Sequence, residues 1–173
     1  MKLEEQLFAR HAGKSILLDS NLLLVYLSGA LGASFFRRFK RVSEYGMEDY
    51  ELLVRLLKSF TILLTTPHVL TEVSNLANSL PSTYKQDWNL NLETLIASAR
   101  HPVGMRESWT PAAELVESPD FSAFGITDAA LSRLSAEALI VTDDYRLSGA
   151  LRSRGVLALN FRDVRYLRLS AHD

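Results

Sequence analysis

The chain predicts an α/β fold, a three-layer α/β/α domain with a mostly parallel central sheet. Short apolar runs, SILL at 15–18, TILLT at 61–65 and ALIVT at 138–142, alternate with stretches whose apolar residues recur at helical spacing. Strands alternating with helices lie in a sheet covered on both faces. No hairpin signal surrounds the first run, and no internal repeat, low-complexity tract or linker divides the 173 residues. Residues 1–173 therefore read as one domain, long enough to bury a core.

Each element has its own signal. SILL ends at Asp19, and Asp19, Ser20 and Asn21 are turn and N-cap types ahead of a helix in NLLLVYL. SGALGASFF, at 28–36, is small and glycine-rich and breaks or bends that helix. From Met47 to Phe60, Leu52, Leu53, Leu56 and Leu57 share a helical face. TILLTTP closes a second strand, and Pro67 suits the first turn of a helix carrying Val69, Leu70, Val73 and Leu76. Pro81 stops it, and Tyr84 to Arg100 predicts another helix. A poorly marked strand falls between Val103 and Thr110. Ala112 to Glu117 is a helical turn, and SPDFSAFG a loop. Thr127 caps a helix through Asp128, Leu131 and Leu134. ALIVT is a strand ending at Asp143 and Asp144, Arg146 to Arg154 a helix closed by Gly155, and VLALNF the last strand.

Composition narrows the chemistry. Hydrophobic residues make up 47% and charged residues 23%, as in folded soluble domains. With no cysteine, disulfides, zinc ribbons and thiol catalysis are excluded. None of His11, His68, His101 and His172 has a partner at metal spacing, so carboxylate oxygens are the ligands on offer, and these favour hard cations such as Mg²⁺ and Mn²⁺. The opening MKLEEQ does not resemble a signal peptide, and the most apolar stretch is interrupted by Asp19 and Asn21, so the expectation is a cytoplasmic protein with no membrane span. Net charge is −1, but Arg106 to Asp144 holds eight acidic and two basic residues, and Tyr145 to the end six arginines and two aspartates. Acids for a cation beside arginines for phosphate suit a metal-dependent nuclease.

In open parallel sheets ligands collect beyond the carboxyl ends of the strands. Asp19 sits at such an end, as do Asp143 and Asp144. Glu72 lies on the helix after the second strand, and Asp128 starts the helix before ALIVT. Four segments distant in sequence are thus expected to bring carboxylates to one edge of the sheet. Crowded like charges raise one another's pKa, and a divalent cation relieves that repulsion while activating water for phosphodiester hydrolysis.

These residues resemble the PIN-domain family. SILLDSNLLLVYL resembles its first motif, a hydrophobic strand followed by D-S/T-N. TPHVLTEV resembles the second, with Glu72 in the acidic position, and GITDAAL the third, with Asp128. LIVTDDYRL before GVLALNF resembles the fourth, T-x-D-x-x-L. The likeness spans residues 15–161 with the motifs in family order. It implies a PIN-like fold and an Mg²⁺- or Mn²⁺-dependent endoribonuclease leaving 5′-phosphate and 3′-hydroxyl ends, often the toxin of a toxin–antitoxin pair and so partnered by an antitoxin protein. Carried over, Asp19, Glu72, Asp128 and Asp144 are catalytic and hold metal, with Asn21, Thr142 and Ser20 supporting them. Asp144 matches the T-x-D position and Asp143 the variable one, and either is a ligand candidate. The segment from about Ser28 to Phe60 is longer than a minimal member needs and reads as a helical insertion.

Each assignment has a plainer counterpart. Asp19 would instead merely cap the following helix, Asp128 would be a helix-start charge, and Glu72 a solvated helix residue. Arg37, Arg38, Lys40 and Arg41, interleaved with Phe35, Phe36 and Phe39, suit phosphate contact and base stacking; the alternative puts the rings in the core and the cations in solvent. Arg146, Arg152 and Arg154 have the same two readings. The apolar faces of 47–60 and 84–100 are core, or a seam for a homodimer or partner. The functional alternative to the ribonuclease is a catalytically inactive PIN scaffold binding RNA or a protein. A P-loop and a D-x-D-x-T phosphatase motif are absent.

Overall fold

The computed structural model describes residues 15–100 and 104–169, with side chains through Tyr166. MKLEEQ, His11, His101, Val103 and His172 lie outside the described residues. Five strands, β1 (Ser15–Leu18), β2 (Ile62–Thr65), β3 (Gly104–Glu107), β4 (Ala138–Thr142) and β5 (Ala158–Asn160), form one sheet in the order β3-β2-β1-β4-β5. Every pairing is parallel. The central strands are continuous apolar runs because both faces are covered; all five residues of β4 are buried. Leu18 pairs with Val141 and Leu17 with Leu64, so by extension Asp19 stands level with Thr142 on one side and Thr66 on the other.

The described residues form ten α-helices: α1 (Ser20–Gly29), α2 (Ala33–Arg38), α3 (Met47–Lys58), α4 (Pro67–Leu76), α5 (Ser82–Ala97), α6 (Ala112–Leu115), α7 (Pro119–Phe124), α8 (Ile126–Arg133), α9 (Tyr145–Ser153) and α10 (Phe161–Leu169). The chain steps outward from β1 to β2 and β3, then crosses back to β4 and steps the other way to β5. With right-handed crossovers, that reversal puts the two sets of helices on opposite faces, giving the three-layer α/β/α arrangement. It also opens a crevice at the carboxyl ends of β1 and β4, where their following segments diverge.

Local chemistry sets the helix starts. Asp19 caps α1, so this helix begins at Ser20, one residue before the expected NLLLVYL. The Thr66 hydroxyl accepts from Val69 N at 3.2 Å, with Pro67 in the first turn of α4. SPDFSAFG, expected as a loop, contains α7: Ser118 caps it, Pro119 opens it, and Gly125 ends it at φ 95°. Six residues are too few for helical periodicity to register. The same Gly125, rather than Thr127, is the N-cap of α8. VLALNF is a strand only to Asn160; Phe161 starts α10, an element the sequence reading did not anticipate.

The core joins β1 and β4 to the inner faces of α1, α3 and α4. Leu52, Leu53 and Leu56 of α3 lie within it, as do Phe35, Phe36 and Phe39. Those three rings therefore stack on no base. The face expected over 84–100 is mixed: Trp88 is fully buried, while Leu90 and Ile96 are exposed. Among the described residues no helix is long and apolar enough to cross a membrane.

Helices α1 and α3 meet closely at Gly29. A Cβ built there falls inside the van der Waals surface of the Tyr50 ring and against its Cβ. Gly29→Ala is expected to destabilise the fold by about 1–3 kcal/mol through overpacking. Tyr50→Ala in the same chain should recover part of that loss. Chemical denaturation of the two single variants and the double variant checks this; additive effects would contradict it.

Candidate functional site

Asp19 follows β1 in extended backbone, and its main-chain N–H donates to the Val141 carbonyl at 3.0 Å. Its carboxylate is almost fully buried and accepts three hydrogen bonds. Oδ1 takes Leu22 N at 2.8 Å; Oδ2 takes the Thr142 hydroxyl at 2.5 Å and Asp143 N at 2.9 Å. Burial nevertheless holds this carboxyl up at about 6; the hydrogen bonds pull it down and the Asp143 charge adds a small upward push.

Thr142, fully buried, is the hinge of the arrangement. While donating to Asp19, its Oγ1 accepts from Asp144 N at 3.0 Å. Asp144 caps α9, with Oδ1 accepting from Arg146 N at 2.6 Å and Leu147 N at 3.2 Å. Across the crevice, the Ser20 hydroxyl donates to Glu72 Oε2 at 2.9 Å, fixing an otherwise exposed helix residue to the start of α1.

Asp128, in the first turn of α8, is half-buried and accepts no hydrogen bond among the described residues. Burial, then the charges of Asp19, Glu72, Asp144 and Asp120, raise its carboxyl to about 7. The structure therefore brings Asp19, Glu72, Asp144 and Asp120 within electrostatic reach of Asp128. Among the described residues no three His, Asp or Glu side chains close into a ready-made metal cage. Asp19 has both oxygens on hydrogen-bond donors, whereas Asp128, Asp144 Oδ2 and Glu72 Oε1 have no such partner. An all-oxygen donor set with uncompensated negative charge fits a hard divalent cation.

The adjacent aspartates divide sharply. Asp143 is buried and accepts from Tyr45 Oη at 2.6 Å, Arg162 Nε at 3.0 Å and Arg162 Nη2 at 3.0 Å. It faces this clamp and not Asp128. Of the two ligand candidates, Asp144 is the one whose charge bears on Asp128. Tyr45 and Arg162 were missed by sequence reasoning, as was Asp120, which is buried and paired with Arg154 at 2.9 Å. The arginine-rich C-terminal segment was the only sign of Arg162.

The expected phosphate-binding cations are dispersed. Arg37, Arg38, Lys40 and Arg41 are all exposed. Arg38 donates to Tyr84 Oη at 2.8 Å and lies 5.9 Å over that ring. Arg146 lies 5.6 Å over Phe124. Arg152 and Arg154 are held by Asp163 and Asp120. Asn21 and Arg41 line a cleft of about 370 Å³ with Tyr45, Asp144 and Tyr145. No family model, curated protein or solved structure matches this chain.

The raised carboxyls make the metal-free fold pH-sensitive. Below about pH 4, where both folded and unfolded chains are protonated, their contribution to stability is fully present; it is lost as pH rises through about 6 for Asp19 and about 7 for Asp128. Thermal unfolding in EDTA should show a lower Tm at pH 8 than at pH 5.5. Asp128→Asn should raise Tm at pH 8, by ~2–4 °C for each kcal/mol of repulsion relieved. An unchanged or lower Tm in that variant would contradict the electrostatic reading.

Proposed function

We propose that this chain is a metal-dependent endoribonuclease that hydrolyses RNA phosphodiester bonds at the carboxyl edge of its sheet. Asp19, Glu72, Asp128 and Asp144 would hold Mg²⁺ or Mn²⁺. The observation that carries this reading is Asp128, a half-buried carboxyl without a hydrogen-bond partner among the described residues, within reach of the charges of Asp19, Glu72, Asp144 and Asp120. The order of the PIN-like motifs supports it, since the acids at their other three positions all act on Asp128. When bound, a divalent ion polarises the phosphate and lowers the pKa of water towards neutrality.

The chain's own part is positioning. Thr142 sets the Asp19 carboxylate and the backbone of Asp144 with a single hydroxyl. Ser20 turns Glu72 towards the same edge. Burial keeps water from screening Asp19, so its charge acts strongly on whatever occupies the crevice. Release of 5′-phosphate and 3′-hydroxyl ends and a toxin role with an antitoxin partner follow from the resemblance alone, and a cytoplasmic location from the sequence reading.

A second reading, a non-catalytic scaffold that binds RNA or protein, has one observation in its favour. Both Asp19 oxygens are committed to hydrogen bonds, as in a purely structural cap. Assay of the purified protein on RNA separates the two. The nuclease reading expects cleavage that needs Mg²⁺ or Mn²⁺, stops in EDTA, and falls about 100-fold or more in Asp19→Asn, equivalent to ~2.7 kcal/mol of barrier. Full activity in that variant, or activity indifferent to EDTA, overturns it.

A further inference from the structure

Beside the acids lies the cleft walled by Asn21, Arg41, Tyr45, Asp144, Tyr145 and Arg162. Asp144 belongs to both, so whatever fills the cleft adjoins the crevice. Tyr145, which lines this cleft, is 52% exposed. Its hydroxyl donates to Asp163 Oδ1 at 3.3 Å, an exposed contact that leaves the ring uncovered.

The charges are arranged unequally. Arg162 is committed to Asp143, with Glu44 at 3.7 Å as a weaker partner. Arg41 forms no ion pair or hydrogen bond among the described residues. Of the four cations in 37–41 it alone lines this cleft, and Arg38 is held by Tyr84. An uncommitted guanidinium suits a phosphate, and an exposed phenol ring suits the face of a base. Asn21 adds an exposed amide able to donate and accept.

We propose that this cleft is a nucleotide subsite flanking the scissile bond, with Arg41 on a phosphate and Tyr145 stacked on the adjoining base. The proposal rests on the ribonuclease reading. Asp143 is paired with Arg162, while Asp144 has no cationic partner among the described residues, so a cation held by the neighbouring acids would favour a phosphate in the cleft.

Steady-state hydrolysis of an oligoribonucleotide by the full chain in Mn²⁺ tests it. Tyr145→Ala and Arg41→Ala are each expected to raise KM about tenfold while changing kcat less than twofold. Tyr145→Phe, which keeps the ring, should retain the wild-type KM, and Lys85→Ala on α5 should change nothing. An abasic nucleotide beside the scissile phosphate should erase the Tyr145→Ala effect and leave that of Arg41→Ala. If wild type cleaves RNA and both alanine variants keep its KM, the subsite is wrong and the nuclease reading stands. Loss in Tyr145→Phe equal to that in Tyr145→Ala overturns the stacking role. Wild type that neither binds nor cleaves RNA overturns both.

Discussion

The arrangement at the sheet edge depends on the buried carboxylate of Asp19. An ionised group leaving water is strongly penalised unless donors replace the water it loses. Here three donors do so: one from the start of α1, and a hydroxyl and an N–H from the end of β4. That one side chain therefore joins the two strands at the point where the chain reverses its direction through the sheet. The donors do not fully offset burial, and the carboxyl stays above its ordinary range. Ser20 and Glu72 on one side, and Thr142 and Asp144 on the other, take their places from this junction.

Two consecutive aspartates show the difference between a satisfied and an unsatisfied charge. Asp143 has a bidentate guanidinium and a phenol, and such a pair is stable in place because every oxygen is used. It also fastens the segment between α2 and α3 to the site, since Arg165 lies 5.2 Å over the Tyr45 ring and pairs with Asp49 at 2.8 Å. The stretch that reads as a helical insertion thus supplies Tyr45 to the turn behind the acids. Asp144, one residue on, spends one oxygen on its helix and leaves the other to the crevice. Stability is given up where acids face one another, as is usual at sites organised for a ligand.

Much of this was readable in the chain because it rests on local signals. The runs ending at Asp19 and Asp143 are apolar since β1 and β4 are central, and the position of strand ends follows from those runs. The order of four acidic motifs pointed to one edge. The Tyr45–Asp143 contact spans 98 residues and leaves no periodic trace, so neither partner announces the other. The helix α10 was lost because VLALNF looks like continuous strand, although only its middle pairs with β4. The cations of 37–41 form one group in sequence but scatter on a short helix and a 3₁₀ turn, leaving Arg41 alone in the cleft.

Carbon-detected NMR titration of the Asp128 carboxyl, with and without Mg²⁺, tests the central claim most directly. The account predicts a midpoint near 7 without the ion, set by burial and by the four neighbouring acids, and a marked fall when Mg²⁺ is added. A midpoint in the ordinary carboxylate range, indifferent to Mg²⁺, would contradict it.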